Sequence, residues 1–407
     1  MSKKVIVIGG GAAGMMAAGV AAKKGLEVHL FEKNDKLGKK VFITGKGRCN
    51  FTNASDVESI LEHVVRNPNF LYSALYTFTN QDLIQFFNDL SVPTKVERGN
   101  RVFPKSDKSN DIIKALTKFL STHQVKIHYY SNVKKILVND GRVTGIQLDS
   151  GERHFCDRII ITTGGLSYPK TGSTGHGLTM VEDLGHNIIS PFPSLVPIEI
   201  KENWIKELQG LSLKNIEMSL YKNNKLIKSE FGEMIFTHYG ISGPVTLTLS
   251  AYMEGSYTEH TIHINLKPAL SYEQLDRRIQ KDFEKYSRRQ FKNSLDDLFP
   301  KKLIPIMILL SNISPEKYVN QITKFERRSL VSLTQKLILS VKKLRPIDEA
   351  IVTAGGVDIN EINPSTMESK IVQGLYFGGE IMNVDALTGG YNLQIAFSTG
   401  YLAGYNC

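Results

Sequence analysis

The sequence predicts a mixed α/β fold in which one domain is interrupted by an inserted segment of different character. Three features support this prediction. The N-terminus has the pattern of a strand, a glycine-rich turn, a helix and a second strand. Further apolar strands that end in glycines occur near residues 160 and 376. Turn-rich and then helical patterns begin near Pro191. The chain has 407 residues, which is long for a single core, so we expect two or three domains.

The composition is that of a soluble globular protein, with 41% apolar and 22% charged residues. The longest apolar runs are far shorter than a membrane span, and the apolar run before Gly9 is too short for a signal peptide. We therefore expect a cytoplasmic protein. Cys49, Cys156 and Cys407 lie far apart with no cluster at zinc spacing, so neither a disulfide framework nor a metal site is expected.

Residues 3–32 have the pattern of a dinucleotide-binding βαβ unit. Val5–Ile8 is an unbroken β-branched run, typical of a strand that is buried on both faces. It leads into GGGAAG at residues 9–14, an alanine-rich helix that Gly25 ends, and a second strand closed by Glu32. The glycines allow a pyrophosphate to approach the helix N-terminus, and Glu32 is spaced to bind the hydroxyls of an adenosine ribose.

The glycine motif alone does not distinguish NAD from FAD. The segment ITGKGRCNFTN, residues 43–53, places a second loop of small residues soon after Glu32, where a nicotinamide-only domain usually enters its next βα unit. We expect this loop to lie against a flavin. Two further segments support FAD: the strand Ile159–Ile161 ends in Thr-Thr-Gly-Gly, and a helix predicted to begin near Tyr391–Asn392 directs its positive end towards the site.

The middle of the chain alternates short strands with turns and then becomes helical. Residues 133–161 predict a hairpin meander, and residues 195–266 predict a small barrel. Residues 271–340 have a helical pattern that opens with a capping box at Ser271 and Gln274.

The positive charge is concentrated in this inserted segment. Residues 191–345 hold 24 lysines and arginines against 16 acidic residues, compared with 26 against 24 in the rest of the chain. Solvated surface explains this surplus as well as attraction to a polyanion such as RNA does. Because no RRM or KH signature is present, RNA contact would be through shape and phosphate. The basic residues expected to form it are Arg277, Arg278, Lys281, Arg288, Arg289, Arg327 and Arg328.

Five motifs give the chain a resemblance to a known family. They are GGGAAG, ITGKGRCNFTN, GGLSYPKTGSTGHG, FTHYGISGP and GGEIMNVDALTGGYNLQIAFSTG, and in this order they span most of the sequence. The chain resembles the bacterial FAD flavoproteins labelled NAD(P)/FAD-dependent oxidoreductase or aminoacetone oxidase-like, which include bile-acid-pathway enone reductases and a ribosomal RNA dihydrouridine synthase. It is also similar to the flavin domain of fumarate-reductase-like enzymes.

The resemblance implies a glutathione-reductase-type FAD-binding domain, residues 1–192 and 345–407. It further implies an inserted β-barrel domain, residues 193–268 and 328–344, and a helical subdomain, residues 269–327. The expected cofactor-binding residues are Gly9, Gly11, Ala12, Ala13, Gly14, Glu32, Lys33, Lys40, Thr44, Gly45, Arg48, Cys49, Asn50, Val133, Thr163, Gly164, Gly165, Gly379, Glu380, Asn392 and Leu393. In one departure, His176 stands where the family usually has an aspartate, so its role is open.

The expected activity is that of a non-covalent FAD oxidoreductase that reduces an activated C=C bond, with uridine in 23S ribosomal RNA as the preferred substrate. NAD(P)H is the expected transient donor, because one glycine motif leaves no dedicated nicotinamide domain. The candidate proton donors are Cys49, Tyr168 and His238, although each residue also has a purely structural explanation. A small-molecule enone reductase or amine oxidase, and a non-catalytic RNA-binding flavoprotein, are the alternatives.

Overall fold

The computed structural model describes residues 3–407, which divide into two compact units. The first contains residues 3–194 and 347–407, and the second contains residues 195–346. The strands of the first unit that precede the second are β1 (Lys4–Ile8), β2 (Glu27–Phe31), β3 (Thr52–Asn53), β4 (Val64–Arg66), β5 (Thr94–Glu97), β6 (Arg101–Pro104), β7 (Lys126–His128), β8 (Val133–Asn139), β9 (Arg142–Leu148), β10 (Arg153–Phe155), β11 (Arg158–Ile161) and β12 (Ile188–Ser194).

The second unit has its own strands, after which the chain returns to the first unit. The strands of the second unit are β13 (Ile198–Ile200), β14 (Ser212–Lys222), β15 (Lys225–Phe236), β16 (Gly240–Ser242), β17 (His260–Asn265) and β18 (Leu337–Leu344). The first unit is completed by β19 (Val352–Val357), β20 (Leu375–Phe377) and β21 (Asp385–Ala386).

The helices are distributed over both units. Those of the first unit are α1 (Ala12–Lys23), α2 (Lys39–Ile43), α3 (Val57–Glu62), α4 (Tyr72–Thr77), α5 (Asn80–Asp89), α6 (Ser109–Thr122), α7 (His176–Glu182) and α12 (Tyr391–Asn406). Those of the second unit are α8 (Pro244–Ser250), α9 (Tyr272–Lys285), α10 (Ile304–Ser311) and α11 (Lys324–Gln335). Among residues 3–407, no helix is long and apolar enough to cross a membrane.

A parallel sheet forms the centre of the first unit. Its strand order is β20-β11-β1-β2-β7, and each neighbouring pair runs parallel. The apolar side chains of β1 are buried on both faces, as the β-branched run predicts. The carboxyl ends of β1, β2 and β11 therefore meet at one edge of the sheet, where the residues after Ile8, Phe31 and Ile161 come together.

Helices α1 and α12 pack together through small residues. A Cβ atom at Gly400 would lie 2.4 Å from the Ala13 carbonyl oxygen, and one at Gly404 would lie 2.3 Å from the Ala17 carbonyl oxygen. The two backbones therefore touch, which larger side chains would prevent. Helix α12 begins at Tyr391, as predicted.

The predicted meander is present as the antiparallel sheet β8-β9-β10. Its first turn has Asp140 at φ +48° and Gly141 at φ +73°, the left-handed conformation that a two-residue hairpin turn requires. Smaller sheets, β3-β6-β5, β4-β21 and β12-β19, complete the first unit.

The second unit is a closed barrel with the strand order β13-β16-β15-β14-β17-β18 and an excursion of helices between β17 and β18. This confirms the predicted fold class of a Rossmann-type domain with an inserted barrel. The helical pattern assigned up to residue 340 was wrong at its end, because Leu337–Leu344 form β18. Leu337, Leu339 and Val341 are buried and Ile338 is exposed, which is the alternation of a strand.

Candidate cofactor-binding site

The turn between β1 and α1 forms the first part of the site. Gly9 has φ +101°, and a Cβ atom there would lie 2.7 Å from the Thr162 carbonyl oxygen. A Cβ at Gly14 would lie 1.9 Å from the Gly9 carbonyl oxygen, whereas a Cβ at Gly11 would meet nothing within 4 Å. Gly9 and Gly14 thus permit close packing, and Gly11 opens onto space at the start of α1, where helical N–H groups can bind an anion.

Glu32 lies directly beside this turn, at the end of β2. Its Oε2 accepts a hydrogen bond of 2.8 Å from the Gly10 N–H, and its Oε1 accepts 2.8 Å and 2.7 Å bonds from the backbone and side chain of Asn34. The carboxylate is buried and its orientation is fixed. Oε1 already accepts two hydrogen bonds, whereas Oε2 accepts one and keeps a lone pair for a ligand hydroxyl.

An open cleft of about 690 Å³ lies in the first unit, and its lining includes Lys33, the residue after Glu32. Lys33 lies in its lining, and the Lys33 ammonium donates a 2.9 Å hydrogen bond to the Thr174 hydroxyl. Burial lowers the pKa of Lys33 from its usual value. The cleft has the size of a small-molecule site, and its lining residues are Lys33, Asn132, Leu166, Thr174, Gly175, His176, Leu178, Thr179, Glu182, Ile188, Ser190 and Pro191.

His176 is the first residue of α7 and also lines this cleft. Its Nε2 donates a 3.0 Å hydrogen bond to the carbonyl oxygen of Val133, one of the residues expected to bind the cofactor. This residue, for which the sequence analysis assigned no role, thus joins α7 to the start of β8.

Lys40 and Glu380 form a second polar cluster. The Lys40 ammonium lies 2.5 Å from Glu380 Oε2 and 2.6 Å from the Ser167 hydroxyl. Glu380 Oε1 accepts hydrogen bonds from the Ser167 hydroxyl at 3.0 Å and from the Thr353 N–H at 2.8 Å. The sequence analysis named Lys40 and Glu380 as expected cofactor-binding residues and did not name Ser167 or Thr353. A hydroxyl within the apolar run of β19 was the one available signal for Thr353.

Gly379, which precedes Glu380, lies against α1. It has φ +75°, and a Cβ there would lie 3.0 Å from the Ala13 Cβ. The Gly379 N–H also donates a 2.9 Å hydrogen bond to the Thr399 hydroxyl in α12. The second polar cluster is therefore connected to the helix that begins at the glycine-rich turn.

Arg48, in the loop of residues 43–53, is paired with carboxylates of the protein. It forms ion pairs with Glu97 and Asp107, and its guanidinium stacks 4.2 Å from the centre of the Phe103 ring. Hydrogen bonds to Glu97 and then Asp107 raise the pKa of Arg48. The positive charge of Arg48 is thus neutralised by two carboxylates of the protein.

Cys49 and Asn50 are held inside the same loop. Cys49 has φ +60° and is fully buried, and this burial raises the pKa of its thiol to about 12. Asn50 donates hydrogen bonds to the carbonyl oxygens of Thr52 and Val102. These environments favour a structural role for both side chains.

The loop is joined to the start of α12. The Asn53 amide donates a 3.1 Å hydrogen bond to the Gly389 carbonyl oxygen, and the Thr52 hydroxyl donates one of 2.5 Å to Gln394. Within the loop, the Thr44 hydroxyl bonds the Lys40 carbonyl and Gly45 has φ +61°. The structure thus brings together the two segments that sequence analysis placed at the flavin.

The Asn392 side chain is hydrogen-bonded to the protein backbone. Its Oδ1 accepts a hydrogen bond from the Ala386 N–H, and its Nδ2 donates to the carbonyl oxygens of Ala386 and Leu387. Leu393 beside it is half-buried. Asn392 therefore fixes the start of α12, where its backbone rather than its amide is available to a ligand.

The end of β11 has a buried hydroxyl that suits a ligand. Within the described residues, Thr163 Oγ1 has no hydrogen-bond partner. Its neighbour Gly164 has φ +72°, and a Cβ at Gly165 would lie 2.5 Å from the Thr353 side chain. Together with the gap at Gly11 and the fixed Glu32 carboxylate, this hydroxyl fits a bound dinucleotide.

The other two proton-donor candidates lie in different units. Tyr168 is half-buried in the first unit with φ +54°, and the Lys40 ammonium lies 5.9 Å from the centre of its ring. His238 lies in the second unit between β15 and β16, where it is exposed and packs against Tyr239. Tyr168 is thus the candidate associated with the polar cluster of Lys40 and Glu380.

The predicted basic residues divide into paired and unpaired groups. Arg278 pairs with Asp282 and Arg327 with Asp276, while Arg289 donates to the Asn293 carbonyl oxygen. The side chains with no hydrogen bond or ion pair to any residue of 3–407 are those of Arg277, Lys281, Arg288 and Arg328, and all four residues are exposed. Three of the seven basic residues predicted to contact RNA are therefore paired within the protein.

Three comparisons relate the chain to known proteins. The model of the family described as "HI0933-like protein Rossmann domain" matches residues 3–406. The 3-dehydro-bile acid delta(4,6)-reductase of Clostridium scindens is 30% identical over 98% of both chains. The ribosomal RNA dihydrouridine synthase of Haemophilus influenzae is 32% identical over 97% of this chain and 96% of its own.

A solved structure shows the same fold. The 3-ketosteroid delta1-dehydrogenase from Sterolibacterium denitrificans has a TM-score of 0.52 and 14% identity, with 99% of both chains covered. At this identity the likeness concerns the fold alone.

Proposed function

Because this chain belongs to the HI0933-like family with a Rossmann domain, we propose that it is an FAD-dependent oxidoreductase that reduces an activated carbon–carbon double bond. The observation that carries the proposal is the arrangement in the first unit. Helices α1 and α12 connect three features of this unit: the open space at Gly11, the fixed Glu32 carboxylate and the Lys40–Glu380 cluster.

The residues that would hold FAD follow from this arrangement. The start of α1 would bind the pyrophosphate, Glu32 the adenosine ribose, and Glu380 with Lys40 the ribityl chain. The backbone at Asn392 and Leu393 would lie at the flavin pyrimidine edge. When bound, FAD supplies hydride to a polarised alkene, and the protein must supply a proton to the neighbouring carbon.

Tyr168 is the proposed proton donor. Its phenol belongs to a half-buried residue beside Lys40, whereas the Cys49 thiol is enclosed. The Tyr168 backbone is left-handed, with φ +54°, which is uncommon for a residue other than glycine. NAD(P)H is the proposed electron donor and would dock transiently, since the chain has one glycine-rich dinucleotide motif.

The preferred substrate is uridine in ribosomal RNA, which implies a cytoplasmic location. Two observations support this proposal: the relative from H. influenzae is named for that reaction, and the second unit carries four exposed, predicted cations without a partner. Exposed cations of this kind bind phosphates.

A small-molecule enone is the second candidate substrate. The relative from C. scindens, at similar identity, is named as a bile-acid reductase. Such an activity needs the same FAD site and proton donor but gives no role to the basic surface of the second unit.

The dihydrouridine content of large-subunit ribosomal RNA, measured by mass spectrometry in a strain that lacks this gene, tests the proposal. We expect loss of dihydrouridine at one site, recovery with the wild-type gene, no recovery with Glu32→Ala, and recovery with Glu62→Ala, a change at an exposed residue of α3. Unchanged ribosomal RNA would contradict the RNA substrate and leave the enone reductase.

A further inference from the structure

An aromatic side chain stands in solvent on the helical part of the second unit. Phe325, in the first turn of α11, is 81% exposed, more than any other large hydrophobic residue among residues 3–407. An isolated exposed hydrophobic residue needs no explanation. Phe325 differs because its backbone is rigidly held and its surroundings are cationic.

The first turn of α11 is fixed by a network around Glu326. The Glu326 carboxylate accepts hydrogen bonds from the Thr323 N–H at 2.7 Å and the Thr323 hydroxyl at 2.9 Å, which completes a capping box. The Lys317 ammonium lies 2.7 Å and 2.8 Å from the two Glu326 oxygens. Phe325 is therefore presented from an ordered helix start rather than from a mobile loop.

Helix α11 is also fastened to α9. Arg327 Nε lies 2.7 Å from Asp276 Oδ1, and the Tyr272 hydroxyl donates a 3.3 Å hydrogen bond to the Arg328 carbonyl oxygen. The exposed sides of the two helices thus belong to one connected surface.

This surface carries a surplus of available positive charge. Five of its exposed cations have no hydrogen bond or ion pair to any described residue, whereas the exposed acids on α9 are Glu273 and Glu284. We call these cations together with Phe325 the α9/α11 face; the cations are Arg277, Lys281, Arg288, Lys324 and Arg328.

We propose that the α9/α11 face binds an unpaired segment of RNA, with one base stacked on Phe325 and phosphates contacted by the surrounding cations. The proposal deepens the proposed function and rests on it. Charge complementarity selects a polyanion over an apolar protein surface. The stacking side chain selects an unpaired segment, because the faces of paired bases are covered by their neighbours.

The test is binding of a fluorescently labelled single-stranded oligouridylate to the full-length protein, measured by fluorescence anisotropy at several salt concentrations. We expect Phe325→Ala to weaken binding by about 5- to 100-fold, with an unchanged salt dependence because no cation is removed. Phe325→Tyr should restore binding, since it restores an aromatic face.

Phe155→Ala is the matched control, because Phe155 is 64% exposed and lies in the first unit. Equal affinities of the Phe325→Ala and Phe155→Ala proteins would overturn the proposal. So would a Phe325→Ala protein that loses self-association and keeps its RNA affinity, because Phe325 would then contact a second copy.

The experiments distinguish a failure of the RNA-binding face from a failure of the proposed function. If Phe325→Ala binds RNA normally while ribosomal dihydrouridine still depends on the gene, the face is wrong and the function stands. If dihydrouridine does not depend on the gene, the function is wrong whatever the oligouridylate does.

Discussion

The Lys40 ammonium lies 2.5 Å from the Glu380 carboxylate, and this ion pair connects α2 to the turn that follows β20. Both side chains are largely shielded from solvent, and the Ser167 hydroxyl bonds each of them. Two segments more than 300 residues apart in the chain therefore share one polar cluster.

Replacing Glu380 by Gln should destabilise the protein and weaken FAD binding together. The change leaves a shielded ammonium without its counter-charge, which costs about 2 kcal/mol in the free energy of unfolding. Urea unfolding of the apoprotein measures this loss, and titration with FAD measures affinity. The double variant Lys40→Met with Glu380→Gln should lose less than the sum of the two single changes. Additive losses would show that the pair is not coupled.

Replacing Tyr168 by Phe should slow substrate reduction while FAD stays bound. The change removes a hydroxyl and keeps the ring beside Lys40, so a proton donor would be lost without loss of packing. General acid catalysis accelerates a reaction by about 10²- to 10⁴-fold. The turnover rate of Tyr168→Phe should therefore decrease by a factor in that range. Single-turnover kinetics and the visible spectrum of the bound cofactor provide the two measurements.

Replacing His238 by Gln is the companion experiment, because His238 is the exposed candidate in the second unit. Turnover close to wild type is expected for His238→Gln. The assignment would be contradicted if Tyr168→Phe were fully active and His238→Gln were not.

Acidification should destabilise the first unit through His29 and His128. Their rings stack with centroids 5.1 Å apart, and His29 Nδ1 lies 2.9 Å from His128 Nε2. His29 Nε2 also lies 3.1 Å from the Glu27 carboxylate. His29 therefore donates through Nε2 and accepts through Nδ1, and a second proton on its ring would remove that acceptor.

Burial lowers the pKa of both histidines in the folded protein, with nearby Lys4, Lys126 and His154 also opposing protonation and Glu27 and Glu152 favouring it. The unfolded chain takes up protons near the ordinary pKa of 6.5, so it binds more protons than the folded chain just below that pH. The contribution of these two histidines to the free energy of unfolding is therefore fully present above about pH 6.5. It is lost as the pH decreases towards and through their lowered pKa values in the folded protein.

His128→Gln keeps a donor near His29 but removes one titrating group. The slope of unfolding free energy against pH below about 6.5 should then decrease by up to about 1.4 kcal/mol per pH unit. Equilibrium unfolding at a series of pH values measures this slope. An unchanged slope would contradict the assignment, and His238→Gln serves as an exposed control.

Removing unpaired cations should weaken RNA binding in a salt-dependent way. The triple change of Arg277, Lys281 and Arg288 to Gln removes two charges from α9 and one from the segment after it, none of which has a partner among the described residues. The slope of log affinity against log salt should fall by about 2 in magnitude, at roughly 0.7 per phosphate contact. The matched control changes Lys114, Lys118 and Lys135, exposed lysines of the first unit. Equal effects of the two triple changes would assign the binding to net charge alone.

Much of the fold was predictable because local patterns dictate it. The β-branched run of β1, the glycines at residues 9–14 and the Asp140-Gly141 turn each require a particular backbone conformation. The start of α12 was equally clear from the Gly-Gly pair before Tyr391. Strand β18 was misassigned because its alternation directly continues a helix in the sequence.

The side-chain partners were not predictable, because they join segments that are distant in the chain. Nothing local to Arg48 indicates that Glu97 and Asp107 neutralise it. In the same way, the pairing of Arg327 with Asp276 depends on how α11 packs on α9. The domain boundaries and the assigned roles of the cofactor-binding residues stay predictions for the experiments above.

The most direct test of the central claim is the visible spectrum of the purified protein during a reductive cycle without oxygen. We predict that the protein is yellow with bound FAD, bleaches with NADPH or NADH, and regains its colour with ribosomal RNA from the deletion strain. Ribosomal RNA from the wild-type strain, already modified, should restore much less colour. A colourless protein free of FAD would contradict the account of the cofactor site. Reduced protein that unmodified ribosomal RNA does not reoxidise would contradict the proposed substrate.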